Sequence, residues 1–234
     1  MPGRSGKSVV LRTLRRDRVS DEHATDEHGY AATFARLGRA LRSTDAVPES
    51  ELARAERRLG RKVPGPVRTF YRVAGRARDF IDHYDHFLRP EEWSLDGTKL
   101  IFVTENQGVV LYAVDLSTEE GDPPVVMASH VEPYQWQNVC ERASTFCRAM
   151  LHWEGSFGGA MPASGSALVP ESFRSVLDKE CQPYGEVNAM WAYGTNDLAA
   201  CLVAWDDGWR VFLGARSQEA LEAAADRLGI DLDQ

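Results

Sequence analysis

The sequence has no apolar run that is long enough to cross a lipid bilayer, since a membrane-spanning helix needs about 20 consecutive apolar residues. Residues 1–18 carry basic side chains, but they have neither a sustained apolar core nor a small-residue cleavage site, so they make a poor secretory signal. The composition, 43% hydrophobic and 26% charged over 234 residues, is ordinary for a globular protein. We therefore expect a cytoplasmic protein that makes no membrane contact.

Cysteine is scarce, and its spacing excludes a metal-binding cluster. The four cysteines are scattered along the chain at Cys140, Cys147, Cys181 and Cys201. Scattered thiols in a chain of this size indicate a reducing compartment rather than a disulfide framework. We expect all four to be free.

No catalytic motif with a defined spacing is present. Gly6-Lys7-Ser8 resembles the end of a phosphate-binding loop, but the glycine required five positions before Gly6 falls on Met1. Neither the Gly-x-Ser-x-Gly pattern of a nucleophile elbow nor the His-Glu-x-x-His pattern of a zinc protease occurs. The sequence therefore predicts no catalytic residue, no resident metal and no cofactor.

One alternative remains at residues 82–86, the densest group of side chains able to bind a metal: Asp82, His83, Asp85 and His86 around Tyr84. Imidazole and carboxylate groups three positions apart meet on one face of a helical turn and suit a divalent metal. A further ligand would come from His130 or Glu132. This pattern would fit a metal-dependent hydrolase, whereas an exposed polar loop explains it without any chemistry.

The clearest pattern in the chain is residues 51–75, ELARAERRLGRKVPGPVRTFYRVAG. Gly60 is a suitable end for a first helix, and Pro64 biases the residue before it away from helix and opens a second one. Apolar side chains recur at helical spacing in both helices: Leu52, Ala55 and Leu59, then Val67, Phe70, Tyr71 and Ala74. The sequence predicts two short helices packed on a core.

These residues resemble the opening signature of the SUKH superfamily, which groups the fungal Smi/Knr cell-wall regulator with many bacterial immunity proteins. The matching pairs are Ala55-Glu56, Leu59-Gly60, Val63-Pro64, Phe70-Tyr71 and Ala74-Gly75. Val63 stands where the family usually has Leu, and Ala74 where it usually has Asn. The resemblance covers about residues 29–154. It implies an α+β fold, a role in binding other proteins and no shared catalytic residues.

The remaining pattern predicts an α+β fold of the SUKH type, in which a central, mostly antiparallel sheet is flanked by N-terminal helices and a C-terminal helix. We expect helices at 30–43, 141–153 and 171–177, another that begins after Ser217, and strands at 86–89, 98–104, 109–115, 125–128, 186–193, 198–205 and 209–215. Residues 155–167 are rich in Gly, Ser and Ala and indicate a connector.

The predicted domain organisation has two parts. Residues 1–28 form a polar tail with a basic start, and the sequence leaves open whether it is ordered. Residues 29–234 form a single domain, in which 168–234 add a helix, three strands and a helix that extend the same sheet. A separate small lobe at 168–234 is the alternative.

Charge is distributed unevenly. Residues 79–132 hold twelve acidic residues against Arg89 and Lys99, whereas residues 49–78 hold nine basic and three acidic ones. A negative field repels nucleic acid and attracts basic proteins. Many bacterial toxins that act on nucleic acid are basic, so an acidic surface would steer an immunity protein onto them. A solvated, solubilising surface is the simpler reading.

Taken together, these patterns predict a non-enzymatic protein that binds and neutralises a toxin through an acidic surface. A regulatory scaffold of the Smi/Knr type differs only in its partner, and neither function involves nucleic acid. Aromatic side chains inside an acidic rim are the usual composition of a binding hot spot. The predicted partner-binding residues are Asp82, Tyr84, Asp85, Glu91, Glu92, Trp93, Asp96, Glu119, Glu120, Asp122, Tyr134 and Trp136.

Overall fold

A computed structural model of the chain describes residues 27–118, 121–205 and 208–233. Over these residues the fold is α+β, as predicted, and it contains two antiparallel sheets. Its helices are α1 (Glu27–Arg36), α2 (Glu49–Leu59), α3 (Gly65–Ala74), α4 (Arg78–Ile81), α5 (Ala143–Ser156), α6 (Arg174–Glu180) and α7 (Gln218–Leu228). Its strands are β1 (His86–Phe87), β2 (Ser94–Asp96), β3 (Lys99–Thr104), β4 (Val110–Asp115), β5 (Val125–Ser129), β6 (Gln137–Cys140), β7 (Ala163–Val169), β8 (Gln182–Val187), β9 (Met190–Gly194), β10 (Leu198–Trp205) and β11 (Gly208–Ala215).

The first sheet has the order β1-β3-β4-β5-β6, with β2 also paired to β3. The hairpin predicted from residues 98–104 and 109–115 is confirmed as β3 and β4. Alternate side chains of β4 face opposite ways: Tyr112 and Val114 pack on the main core, and Leu111 and Ala113 belong to a small cluster on the outer face. This alternation gives the sheet an inner and an outer side.

The two helices of residues 51–75 form as predicted. Gly60 ends α2 in the left-handed conformation with φ 64°, and Tyr71 of α3 is fully buried. Glu56 is also buried and accepts a hydrogen bond from the Val63 N–H at 3.1 Å. Burial acts to raise the pKa of Glu56, but the hydrogen bonds from Val63 and Lys62 lower it overall. The residues that carry the family resemblance therefore hold the break between α2 and α3 in place.

Helix α5 lies at the centre of the molecule. Eleven of its fourteen residues are buried, including Phe146, Met150 and Glu154. A helix that is buried on all sides needs cover on all sides. The first sheet and α1, α3 and α4 cover one part of it, and strands β8 to β11 cover the rest.

The C-terminal part differs from the prediction, which placed its strands in the same sheet as the first ones. Strands β7 to β11 form a second sheet in the order β7-β11-β10-β9-β8, so they do not extend the first one. One face of β10 contributes Ala199 and Cys201 to the main core beside α5, and the other contributes Ala200 and Leu202 to a second core under α6 and α7. Residues of α5 and of the second sheet thus belong to one shared core.

Three element predictions are wrong in detail. The helix predicted at 30–43 ends at Arg36. The connector predicted at 155–167 overlaps the first five residues of β7, whose small residues admit a close neighbour, since a Cβ on Gly165 would lie 3.1 Å from Leu232. The strand predicted at 186–193 is divided between β8 and β9 by a turn in which Asn188 has φ 53°.

Other predictions at the chain ends and cysteines have different outcomes. Ser217 caps α7, accepting a hydrogen bond from the Ala220 N–H at 3.2 Å, as predicted. All four cysteines are free and buried, and burial raises the pKa of each thiol. Residues 1–26 of the predicted tail lie outside the described part of the chain. Among the described residues, no helix is long and apolar enough to cross a membrane.

The second sheet touches α5 at a point where two glycines meet. A Cβ built on Gly214 of β11 would lie only 1.8 Å from the carbonyl oxygen of Gly155 in α5. A Cβ on Gly155 would in turn lie 3.2 Å from Ala199 of β10. The helix backbone therefore rests almost directly on the strands, and only small residues permit this approach.

We predict that Gly214→Ala lowers the free energy of unfolding by about 3 kcal/mol or more, because the new methyl group meets the backbone of α5 rather than a side chain that can move aside. The matched control is Gly65→Ala at the start of α3, where a Cβ meets nothing within 4 Å. The control should change stability by less than about 1 kcal/mol. Urea unfolding measures both variants, and equal stabilities would contradict the close packing of α5 on β11.

Candidate functional site

The segment that follows α4 uses its charged side chains within the fold. Asp82 accepts a hydrogen bond from Nε of Arg78 at 2.9 Å, and its other oxygen lies 2.7 Å from Nδ1 of His86. Arg78 also donates to the carbonyl oxygen of Phe87 at 3.0 Å. Asp82 therefore anchors the turn between α4 and β1 instead of standing free for a partner.

Glu154, on the last turn of α5, organises the same segment. It is 1% exposed, and its carboxyl group accepts backbone N–H bonds from His83, Tyr84 and Asp85 at 3.0, 2.7 and 2.8 Å. Burial raises the pKa of Glu154 to about 8, although these hydrogen bonds oppose the rise. Sequence reasoning missed this residue. The available signal was an acidic residue inside a largely apolar helix.

Asp85 was predicted on the acidic surface, but it is only 2% exposed. Its Oδ1 accepts a hydrogen bond from the Asn106 N–H at 3.1 Å. Burial raises the pKa of Asp85 to about 6, and the nearby charge of Glu105 adds to the rise. The prediction of a surface role for Asp85 is wrong, because its carboxyl group lies inside the molecule at the edge of a cleft.

Trp93 and Asp122 also have structural tasks. Trp93 is fully buried, lies edge-on to Tyr71 at 4.8 Å between ring centroids, and donates its indole N–H to the carbonyl oxygen of Leu88 at 3.2 Å. A buried ring is unavailable as a partner anchor, so that prediction is wrong. Asp122 is half-buried and accepts hydrogen bonds from both the N–H and the hydroxyl group of Ser144, at the start of α5.

The alternative metal site does not assemble. Nε2 of His83 lies 3.0 Å from the carbonyl oxygen of Phe157, and Nδ1 of His130 lies 2.9 Å from that of Gly108, while His86 pairs with Asp82. In the part of the chain that the structure describes, no three His, Cys, Asp or Glu side chains come together as a metal would require.

Three of the predicted acidic residues remain exposed beside the first sheet. Glu91 and Glu92 lie in the turn between β1 and β2, and Asp96 ends β2. Arg58 of α2 fixes this turn by donating to the carbonyl oxygens of Pro90 and Trp93 at 3.0 and 2.8 Å. Glu119 and Glu120 lie outside the described residues.

The predicted aromatic pair lies on the outer side of the same sheet. Tyr134 and Trp136 are half-buried and meet edge-on with their ring centroids 5.6 Å apart. The indole N–H of Trp136 donates to the carboxylate of Asp96 at 2.6 Å. Beneath the two rings lies the small outer cluster of Ile101, Leu111, Ala113 and Val126. We call Glu91, Glu92, Asp96, Tyr134 and Trp136 the outer aromatic face.

A cleft of about 320 Å³ opens on the inner side of the first sheet, between the two sheets. The turn between β3 and β4 and the segment before β1 form one side of it. The turn between β8 and β9 and the end of β10 form the other, with α5 at the base. Its aromatic and acidic lining is Tyr84, Asp85, Glu105, Tyr112, Trp153 and Trp205. Of these, only Tyr84 and Asp85 were predicted as site residues. The other four come from separate elements that are far apart in sequence and meet only in the folded chain.

Comparison of the chain with known protein families, curated protein sequences and solved structures finds no match. The resemblance to the SUKH superfamily therefore stays a prediction that depends on the residues quoted above.

We predict that Glu154 makes stability fall as the pH rises from 7 to 8. Its folded pKa of about 8 lies above the usual value of 4.5, so in this range the folded state holds a proton that the unfolded state has lost. The free energy of unfolding should decrease by about 1 kcal/mol per pH unit from this group. His152, whose pKa burial lowers to about 4, has already lost its proton in the folded state below this range.

Glu154→Gln should be less stable than the wild type at pH 7, because one backbone N–H loses its acceptor, and the variant should lose this part of the pH dependence. The exposed Glu222→Gln on α7 is the control and should keep the wild-type slope. Urea unfolding at several pH values gives the stability of the variant and of the wild type as a function of pH. Contributions from the cysteines are the same in both proteins and cancel in the difference. Identical slopes for Glu154→Gln and the wild type would show that Glu154 is ionised in the folded state.

Proposed function

We propose that this chain is a cytoplasmic, non-enzymatic protein of the immunity type, which binds and neutralises a basic toxin through its outer aromatic face. The observation that carries the proposal is the pair of half-buried rings, Tyr134 and Trp136, with Asp96 bonded to the indole. Glu91 and Glu92 are exposed in the turn that leads into β2, the strand that ends at Asp96.

The chemistry of this face suits a protein partner. Partly exposed aromatic rings seated on an apolar base supply area that a partner can bury, and such residues dominate binding energy at many interfaces. Asp96 beside the indole, and the exposed Glu91 and Glu92 in the turn before β2, would act mainly on the rate of encounter and on the choice of partner. The excess of acidic over basic residues in 79–132 favours a basic partner.

Two alternatives differ in how well the contacts support them. A regulatory scaffold of the Smi/Knr type would use the same outer aromatic face and differs only in the partner. A metal-dependent hydrolase at residues 82–86 is less favoured, because Asp82 and His86 bind each other and Asp85 is buried.

The first experiment is affinity purification of the tagged full chain from its native host. A partner should co-purify at low salt and be depleted at high salt, because exposed charges are screened. Absence of any specifically retained protein would overturn the proposal of a protein-binding function. A retained partner that is no toxin would favour the regulatory scaffold.

With the purified partner, we predict that a triple charge reversal, Glu91→Lys, Glu92→Lys and Asp96→Lys, weakens binding at least about tenfold at physiological salt, since three attractive charges become repulsive. The matched control reverses three exposed residues of α7, Glu219, Glu222 and Asp226, to Lys. Both triples change the net charge equally, and the control should weaken binding less than twofold. Equal losses would mean that net charge, and not the outer aromatic face, governs binding.

A further inference from the structure

The cleft between the two sheets has a chemistry that the proposed protein-binding role does not use. It lies on the side of the first sheet opposite the outer aromatic face, because Tyr112 lines the cleft while its neighbours Leu111 and Ala113 face outward. We propose that this cleft binds a guanidinium group, which either a small organic molecule or an arginine side chain would present.

Four aromatic side chains line the cleft: Tyr84, Tyr112, Trp153 and Trp205. Tyr84 is stacked on Phe157 with centroids 3.9 Å apart and lies edge-on to Trp153 at 5.6 Å, so these two lining rings have different orientations. Trp205 is 50% exposed, which is unusual for so large an apolar side chain. A volume of about 320 Å³ is at the lower end of the range for small-molecule sites.

The charges of the cleft are of one sign. Asp85 and Glu105 line it, and none of the described lining residues is Lys, Arg or His. Although burial raises the pKa of Asp85 to about 6, the carboxyl group is still mostly ionised at pH 7. A buried carboxylate without a cationic neighbour in the cleft favours a cationic ligand and opposes an anion. Cations also bind to the faces of aromatic rings, most strongly where water is excluded.

Hydrogen bonding narrows the kind of cation. The carboxylates of Asp85 and Glu105, which both line the cleft, supply acceptor atoms. The oxygens of these carboxylates accept hydrogen bonds from N–H donors, which a quaternary ammonium lacks. A guanidinium carries five N–H donors on a flat frame that also stacks on aromatic rings, whereas a lysine ammonium does not stack.

Calorimetric titration of the full chain with N-acetylarginine methylamide tests the proposal. The control ligand is the citrulline counterpart, which has nearly the same shape and no charge. We expect a millimolar or tighter dissociation constant for the arginine compound and at least tenfold weaker binding of the citrulline compound. Equal binding of the two, or no binding of the arginine compound up to about 10 mM, would overturn the proposal.

Variants locate the binding in the cleft. Trp205→Ala should weaken binding of the arginine compound at least about threefold, and Asp85→Asn at least about tenfold. If Asp85→Asn fails to fold, Glu105→Gln, at a half-buried position, replaces it with an expected loss of about threefold. Trp136→Ala, on the outer aromatic face, is the matched control and should leave this binding unchanged. Unaltered binding in Trp205→Ala and Glu105→Gln would contradict the cleft as the site.

A second ligand separates the two sources of the guanidinium. A short peptide with arginine flanked by glycines should bind at least tenfold more tightly than the single-residue compound if the natural ligand is the arginine of another protein. Equal or weaker binding of the peptide identifies a small guanidinium compound. The triple charge reversal of the outer aromatic face should leave both affinities unchanged, so failure of this proposal and failure of the protein-binding proposal are distinguishable.

Discussion

The contact on which the rest of the structure depends is the direct approach of α5 to the second sheet. Gly155 and Gly214 bring the helix backbone against β11, and Ala199 offers only a methyl group beside them. Because α5 is buried on nearly every side, its position determines where both sheets can pack. The N-terminal helices and the first sheet enclose one part of it, and the second sheet encloses the other. Small residues at one contact thus determine the spacing of the layers.

The same turn of α5 determines the shape of the cleft. Glu154 immediately precedes Gly155, and its carboxyl group holds the backbone N–H groups of residues 83–85. That segment supplies Tyr84 and Asp85 to the lining, and Trp153 of the same turn supplies another ring. A shift of α5 away from β11 would therefore also displace two sides of the cleft. The last turn of α5 therefore supports both the packing of the helix on the second sheet and the walls of the cleft.

Local sequence patterns predicted most helices and strands correctly. The sheet arrangement and the burial of individual site residues depend on long-range contacts, which such patterns do not contain. Gly60, Pro64 and the apolar spacing around them identify α2 and α3, since helix ends depend on neighbouring residues. Asp85 is held in the interior by Glu154, and Trp93 packs against Tyr71. Both partners are distant in sequence, and neither was among the predicted site residues. An acidic residue next to aromatic residues looks the same in sequence whether it lies on a surface or in a cleft. Most strands of the second sheet were predicted, but their separation from the first sheet was not, because that separation follows from the burial of α5 between the two sheets.

Asp85 and Glu154 place two acidic groups in the interior, and burial raises the pKa of both. Such groups destabilise a fold when they are ionised without a partner. Hydrogen bonds offset part of this effect. Glu154 accepts three backbone N–H bonds, whereas Asp85 accepts one backbone N–H bond, from Asn106, and a side-chain hydrogen bond from Trp153. A cation in the cleft would supply a positive charge next to Asp85. It would also stabilise the protein, because it would bind the folded state and not the unfolded one. The raised pKa of Asp85 and the affinity of the cleft for a cation would then have the same physical origin, the burial of this carboxyl group.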